Sequence, residues 1–90
     1  MTDHAAQLAK DGKFTDAIAE QKKAIDIAPN NERLHYALAQ RYAQAGDYRN
    51  AMPPLEEAVR RQPYLKQEAA ADPLFAKMRD LVEFKRLVGQ

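Results

Sequence analysis

Few side chains in this 90-residue sequence could serve as a nucleophile, an acid–base pair or a metal ligand. The chain contains no Ser and no Cys, and its two threonines, Thr2 and Thr15, stand where helices are expected to begin, which favours capping. Neither His4 nor His35 has the second histidine four residues away that a helical metal site uses. The three glycines are isolated, whereas a phosphate-binding loop needs several together. The sequence therefore predicts no enzyme, no metal site and no cofactor.

The charge pattern argues against nucleic acid and the apolar pattern against a membrane. Lys and Arg number 14 and Asp and Glu 13, and the two signs are balanced in both halves of the chain. The short basic clusters at 60–61 and 85–86 are interleaved with acidic residues, whereas phosphate binding favours a basic excess. The chain contains no run of 18 apolar residues, which is about the length that a helix needs to span a bilayer. Residues 1–5 do not resemble a signal peptide. We expect a cytoplasmic protein that binds neither membranes nor nucleic acid.

The sequence contains a repeat with a period of 34 residues, and the repeated units would position any binding surface. Five positions carry the clearest signal: Gly12, Phe14, Ala17, Ala24 and Pro29 recur as Gly46, Tyr48, Ala51, Ala58 and Pro63. Four further apolar or small positions match at the same offset. A period of this length indicates an array in which every unit is one supersecondary element.

Each unit is expected to be a pair of antiparallel helices. The first helix of the second unit carries apolar residues four apart, at Leu34, Leu38 and Tyr42. Gly46 can end that helix in a left-handed conformation, and Asp47 can cap the next one. Small residues fall where a larger side chain would hold the two helices apart, at Ala17, Ala24, Ala51 and Ala58.

Prolines complicate the second helix of this unit. Pro63 should close it, since proline cannot continue the hydrogen-bond ladder. Pro53 and Pro54 fall inside it, so we expect the helix to start late or to kink.

The last part of the chain does not follow the repeat. Asp72 before Pro73 reads as an N-cap with proline in the first turn, and Asp80 with Glu83 resembles a capping box. Apolar residues in this part of the chain form one face, at Leu74, Phe75, Met78, Leu81, Phe84 and Leu87. Because the last unit of an array would otherwise expose its stacking surface, we interpret residues 72–88 as a cap.

Over residues 1–65 the sequence resembles the tetratricopeptide repeat (TPR) family, most clearly in the stretches 12–18, 24–29 and 46–51. The departures are Gln21, where the family usually has an aromatic residue, and His35, where it has a large packing residue. The resemblance implies an all-α fold of stacked helix–turn–helix units forming a short right-handed solenoid. We expect a single domain of 1–90, with repeat 1 at about 1–31, repeat 2 at about 32–65, and a partial third helix with capping helices at 66–90.

The resemblance also implies a function in protein–protein interaction. In this family the first helices of successive units line a concave groove that commonly holds a peptide. The positions expected to face that groove are Lys10, Arg33, Tyr36, Gln40, Gln44 and Gln67. Tyr36, flanked by Arg33 and Gln40, is expected to be exposed as an anchor for the partner, because Tyr and Arg are enriched among interface hot spots. The alternative is that Tyr36 packs within the short array.

Two further expectations concern the partner, whose identity the sequence does not specify. Members that grip the carboxylate of a chaperone tail use Lys, Asn and Arg, and the matching positions Thr2, Ala6, Ala37, Gln67 and Ala71 carry none of these. A carboxylate clamp is therefore not predicted. The alternative to peptide binding is a structural unit that associates with itself as a homodimer or larger homo-oligomer, through the stacking face of its short first helix.

Overall fold

The computed structural model of the protein describes residues 14–89, and these residues form helices and turns with no strand among them. In chain order the helices are α1 (Phe14–Ile27), α2 (Glu32–Gln44), α3 (Tyr48–Arg61), α4 (Leu65–Ala71), a 3-10 helix (Pro73–Met78) and α5 (Val82–Val88). The prediction of an all-α fold is confirmed. None of the helices in this part of the chain is both long enough and apolar enough to cross a bilayer.

The turn between α2 and α3 forms as the sequence predicts. Gly46 adopts the left-handed conformation with φ 79°, and its amide donates to the carbonyl of Ala43 at 3.0 Å. Asp47 then caps α3, its side chain accepting from the amide of Asn50 at 3.4 Å. These bonds satisfy backbone groups that a helix end leaves without partners.

Replacing Gly46 tests this turn. A Cβ built on Gly46 meets no atom within 4 Å, so the cost of Gly46→Ala is conformational rather than steric. We expect a loss of about 1–2 kcal/mol in the free energy of unfolding, measured by urea denaturation. Gly46→Asn should lose less, because Asn visits the left-handed region more readily. Equal stability of the Ala variant and the wild type would contradict the turn geometry.

Helix α3 does not start late, in contrast to one of the two expectations drawn from Pro53 and Pro54. It begins directly after its Asp47 cap and runs to Arg61. The two prolines deprive the carbonyls of Arg49 and Asn50 of their usual amide donors. Both of these residues are exposed, so water can hydrogen-bond to the two carbonyls.

We call residues 72–88 the C-terminal segment. One apolar cluster joins this segment to α2 and α3. Ala39, Ala51 and Ala58 are fully buried, and their small side chains permit close packing of α2 against α3. The C-terminal segment contributes Phe75 and Phe84, whose ring centroids lie 6.1 Å apart.

The two capping features expected in the C-terminal segment have different outcomes. Asp72 caps the 3-10 helix, since its side chain accepts from the amide of Leu74 at 2.9 Å. The capping box expected from Asp80 and Glu83 is wrong, because α5 begins after Leu81 with no side-chain cap. Leu81 packs against the core and its amide donates to the carbonyl of Met78 at 2.9 Å, which fixes the start of α5 instead.

Candidate functional site

An open cavity of about 370 Å³ lies between α2 and the end of α4. Its lining combines three residues of α2 with three from residues 68–72: Arg33, Tyr36 and Gln40 on one side, and Glu68, Ala71 and Asp72 on the other. We call this cavity the α2–α4 groove. Three of the six residues expected to face a groove are therefore brought together in it.

A bidentate ion pair spans the α2–α4 groove at one end. The guanidinium of Arg33 donates to both carboxylate oxygens of Glu68, at 2.7 and 2.9 Å. Its Nη2 also donates to the hydroxyl of Tyr64 at 3.2 Å, and its Cζ lies 5.5 Å from the centroid of that ring. The hydrogen bonds from Arg33 hold the pKa of Glu68 below its usual range. Because both side chains of the pair are about half exposed, water and salt screen the interaction.

The floor of the groove is a hydrogen-bond network centred on Asp72. Its Oδ2 accepts from the hydroxyl of Tyr36 and from Nε2 of Gln40, both at 2.9 Å. Its Oδ1 accepts the Leu74 amide that caps the 3-10 helix. Burial, with a smaller contribution from the bond to Asp72, raises the pKa of Tyr36 well above its ordinary value. The phenol is thus held as a neutral donor.

The expectation that Tyr36 is exposed is wrong. The residue is only 4% exposed, and its ring meets Phe75 edge-on at a centroid distance of 5.6 Å. The ring is therefore part of the core, and its hydroxyl donates to Asp72, which also lines the groove. The helical period correctly places Tyr36 beside Gln40 but does not show that the 3-10 helix covers this face.

The other expected groove residues do not line the cavity. Gln44 is half buried near the end of α2, and its Oε1 has no hydrogen-bond donor among the described residues. Gln67 is exposed on α4. Lys10 lies outside the described residues.

Sequence reasoning missed the far wall of the groove. Asp72 was expected only to cap a helix, and Glu68 was not assigned to a groove. The signal that could have found them is the spacing of Tyr64, Glu68 and Asp72, since residues four apart lie on one helical face.

The histidine within residues 14–89, His35, lies outside the groove and contacts the backbone. Nε2 of His35 lies 2.8 Å from the carbonyl oxygen of Pro29, and since a carbonyl can only accept, the ring nitrogen donates. This hydrogen bond holds the turn before α2. No three His, Cys, Asp or Glu side chains in residues 14–89 converge as a metal site would require.

Comparison with known families agrees with the 34-residue period and the paired helices. One family profile, described as a TPR repeat, matches residues 7–46, and a second, described as a tetratricopeptide repeat, matches residues 32–65. The chain belongs to the tetratricopeptide repeat family. No curated protein and no solved structure matched it. TPR proteins generally mediate protein–protein interactions and are typically not catalytic, so a protein-binding role follows for this TPR chain.

Proposed function

We propose that this TPR chain is a non-catalytic, cytoplasmic adaptor that binds a peptide segment of a partner protein in the α2–α4 groove. The observation that carries the proposal is the open 370 Å³ cavity on the first helix of the second predicted repeat. Arg33, Gln40 and Glu68 offer hydrogen-bonding groups at its surface, and the Tyr36 ring supports them from the core. Gln44, Gln67 and Lys10 lie off this cavity or outside the described residues, so the proposal does not depend on them.

A neutral steric block is the sharpest test of the groove. Ala71 is exposed and lines the cavity, so Ala71→Trp should fill much of the space a peptide needs without altering any charge. We expect the block to weaken partner binding at least about tenfold, which corresponds to about 1.4 kcal/mol. The partner would be captured from a lysate of the source organism on wild-type protein, identified, and its affinity measured by calorimetry.

The matched control is Ala76→Trp, the same change at an exposed position of the 3-10 helix that does not line the groove. Circular dichroism should show that both variants are as helical as the wild type. A partner that binds all three proteins equally would place the site elsewhere. If the wild type retained nothing but further copies of the chain, self-association would replace the adaptor function.

A further inference from the structure

The charges in the α2–α4 groove do not cancel. Arg33 and Glu68 neutralise one another through their bidentate pair. The three groups that donate to Asp72, from Tyr36, Gln40 and Leu74, are all neutral. Within residues 14–89 no Lys or Arg makes an ion pair with Asp72. The cavity lining therefore carries one positive and two negative charges.

Asp72 is well suited to hold a ligand charge. Two of its donors fix Oδ2 and the third fixes Oδ1, so the carboxylate is oriented before anything binds. Hydrogen bonds from neutral groups orient the carboxylate but bring no opposite charge to it. Asp72 is half buried, and a charge there is screened less by water than a charge on an open surface.

We propose that the groove recognises a Lys or Arg side chain of the partner peptide, with its ammonium or guanidinium group against Asp72. This inference rests on the proposed function and adds the chemistry of the ligand. The aliphatic stem of such a side chain can lie along Ala71, since long basic side chains commonly cover apolar surface. A partner carboxylate would instead meet both Asp72 and Glu68, while Arg33 is already engaged.

A random 12-residue peptide display library is the probe. Selection on the wild-type protein should enrich peptides that share a Lys or Arg at one position. For the most enriched Arg-containing peptide, citrulline in place of that Arg keeps the shape and removes the charge. We expect this exchange to weaken binding to wild type about tenfold.

Asp72→Asn is the complementary protein variant, because Asn caps helices as well as Asp does. It should weaken the Arg peptide about tenfold and leave the citrulline peptide unchanged, since the two changes remove the same interaction. Asp47→Asn makes the same replacement at the N-cap of α3, away from the groove, and should bind both peptides as wild type does.

Four results would overturn the inference, and the first two separate it from the proposed function. Selected peptides that are lost on Ala71→Trp but unaffected by Asp72→Asn and by citrulline would leave the groove as the site and remove the cationic ligand. Enrichment of Asp or Glu would have the same meaning. Failure of wild type to enrich any peptide, or binding that Ala71→Trp does not weaken, would contradict both proposals.

Discussion

Phe75→Ala should lower the free energy of unfolding by about 3–5 kcal/mol, the usual cost of removing a buried aromatic ring. Phe75 is fully buried and its ring lies between Tyr36 of α2 and Phe84 of α5. No other aromatic ring in the described part of the chain contacts both. Since small domains are stable by only about 5–15 kcal/mol, such a loss is a large fraction of the total.

The measurement is urea denaturation followed by circular dichroism, with the melting temperature as a second readout. The melting temperature should fall by on the order of 20 °C. Val82→Ala is the control, because Val82 is an exposed apolar residue of the same C-terminal segment and its truncation should cost less than about 0.5 kcal/mol. If Phe75→Ala unfolded at the wild-type urea concentration, the C-terminal segment would not belong to the core that α2 and α3 share.

Tyr36→Ala should have an effect of similar size, which makes it unsuitable as a binding variant. The substitution removes a buried ring, at a cost of about 3–5 kcal/mol, and one of the donors to Asp72. Tyr36→Phe keeps the ring and loses only the hydroxyl. Because that hydroxyl donates to a carboxylate, we expect Tyr36→Phe to cost about 1.5–3 kcal/mol.

The pair of Tyr36 variants separates packing from hydrogen bonding when both are unfolded in urea under the same conditions. Equal losses for Phe and Ala would mean that the hydroxyl carries the whole effect and that the ring is not packed as described. Combining Tyr36→Ala with Phe75→Ala should cost less than the sum of the two single changes, since the rings contact one another.

The 34-residue period predicted much of the fold because it records a local pattern of helices, turns and small residues. Gly46 and Asp47 behave as expected, since a helix end depends mainly on the residues beside it. The lining of the groove could be predicted less well from the sequence. Whether Tyr36 faces a partner or the core depends on where the 3-10 helix packs, and residues 36 and 75 are far apart in the chain. Likewise α5 begins after Leu81, which packs against the core, and not at a cap formed by Asp80.

Because of Asp72, binding in the groove should depend on whether the C-terminal segment stays packed against α2. Its carboxylate is shared between α2 and the first turn of the 3-10 helix, so detachment of the C-terminal segment would carry the acceptor away from Tyr36 and Gln40. The molecules able to bind through Asp72 are therefore those in which this segment is docked. A bound ligand should slow hydrogen exchange at the amide of Leu74, and a substitution far from the groove that loosens α5 should weaken binding without touching the ligand.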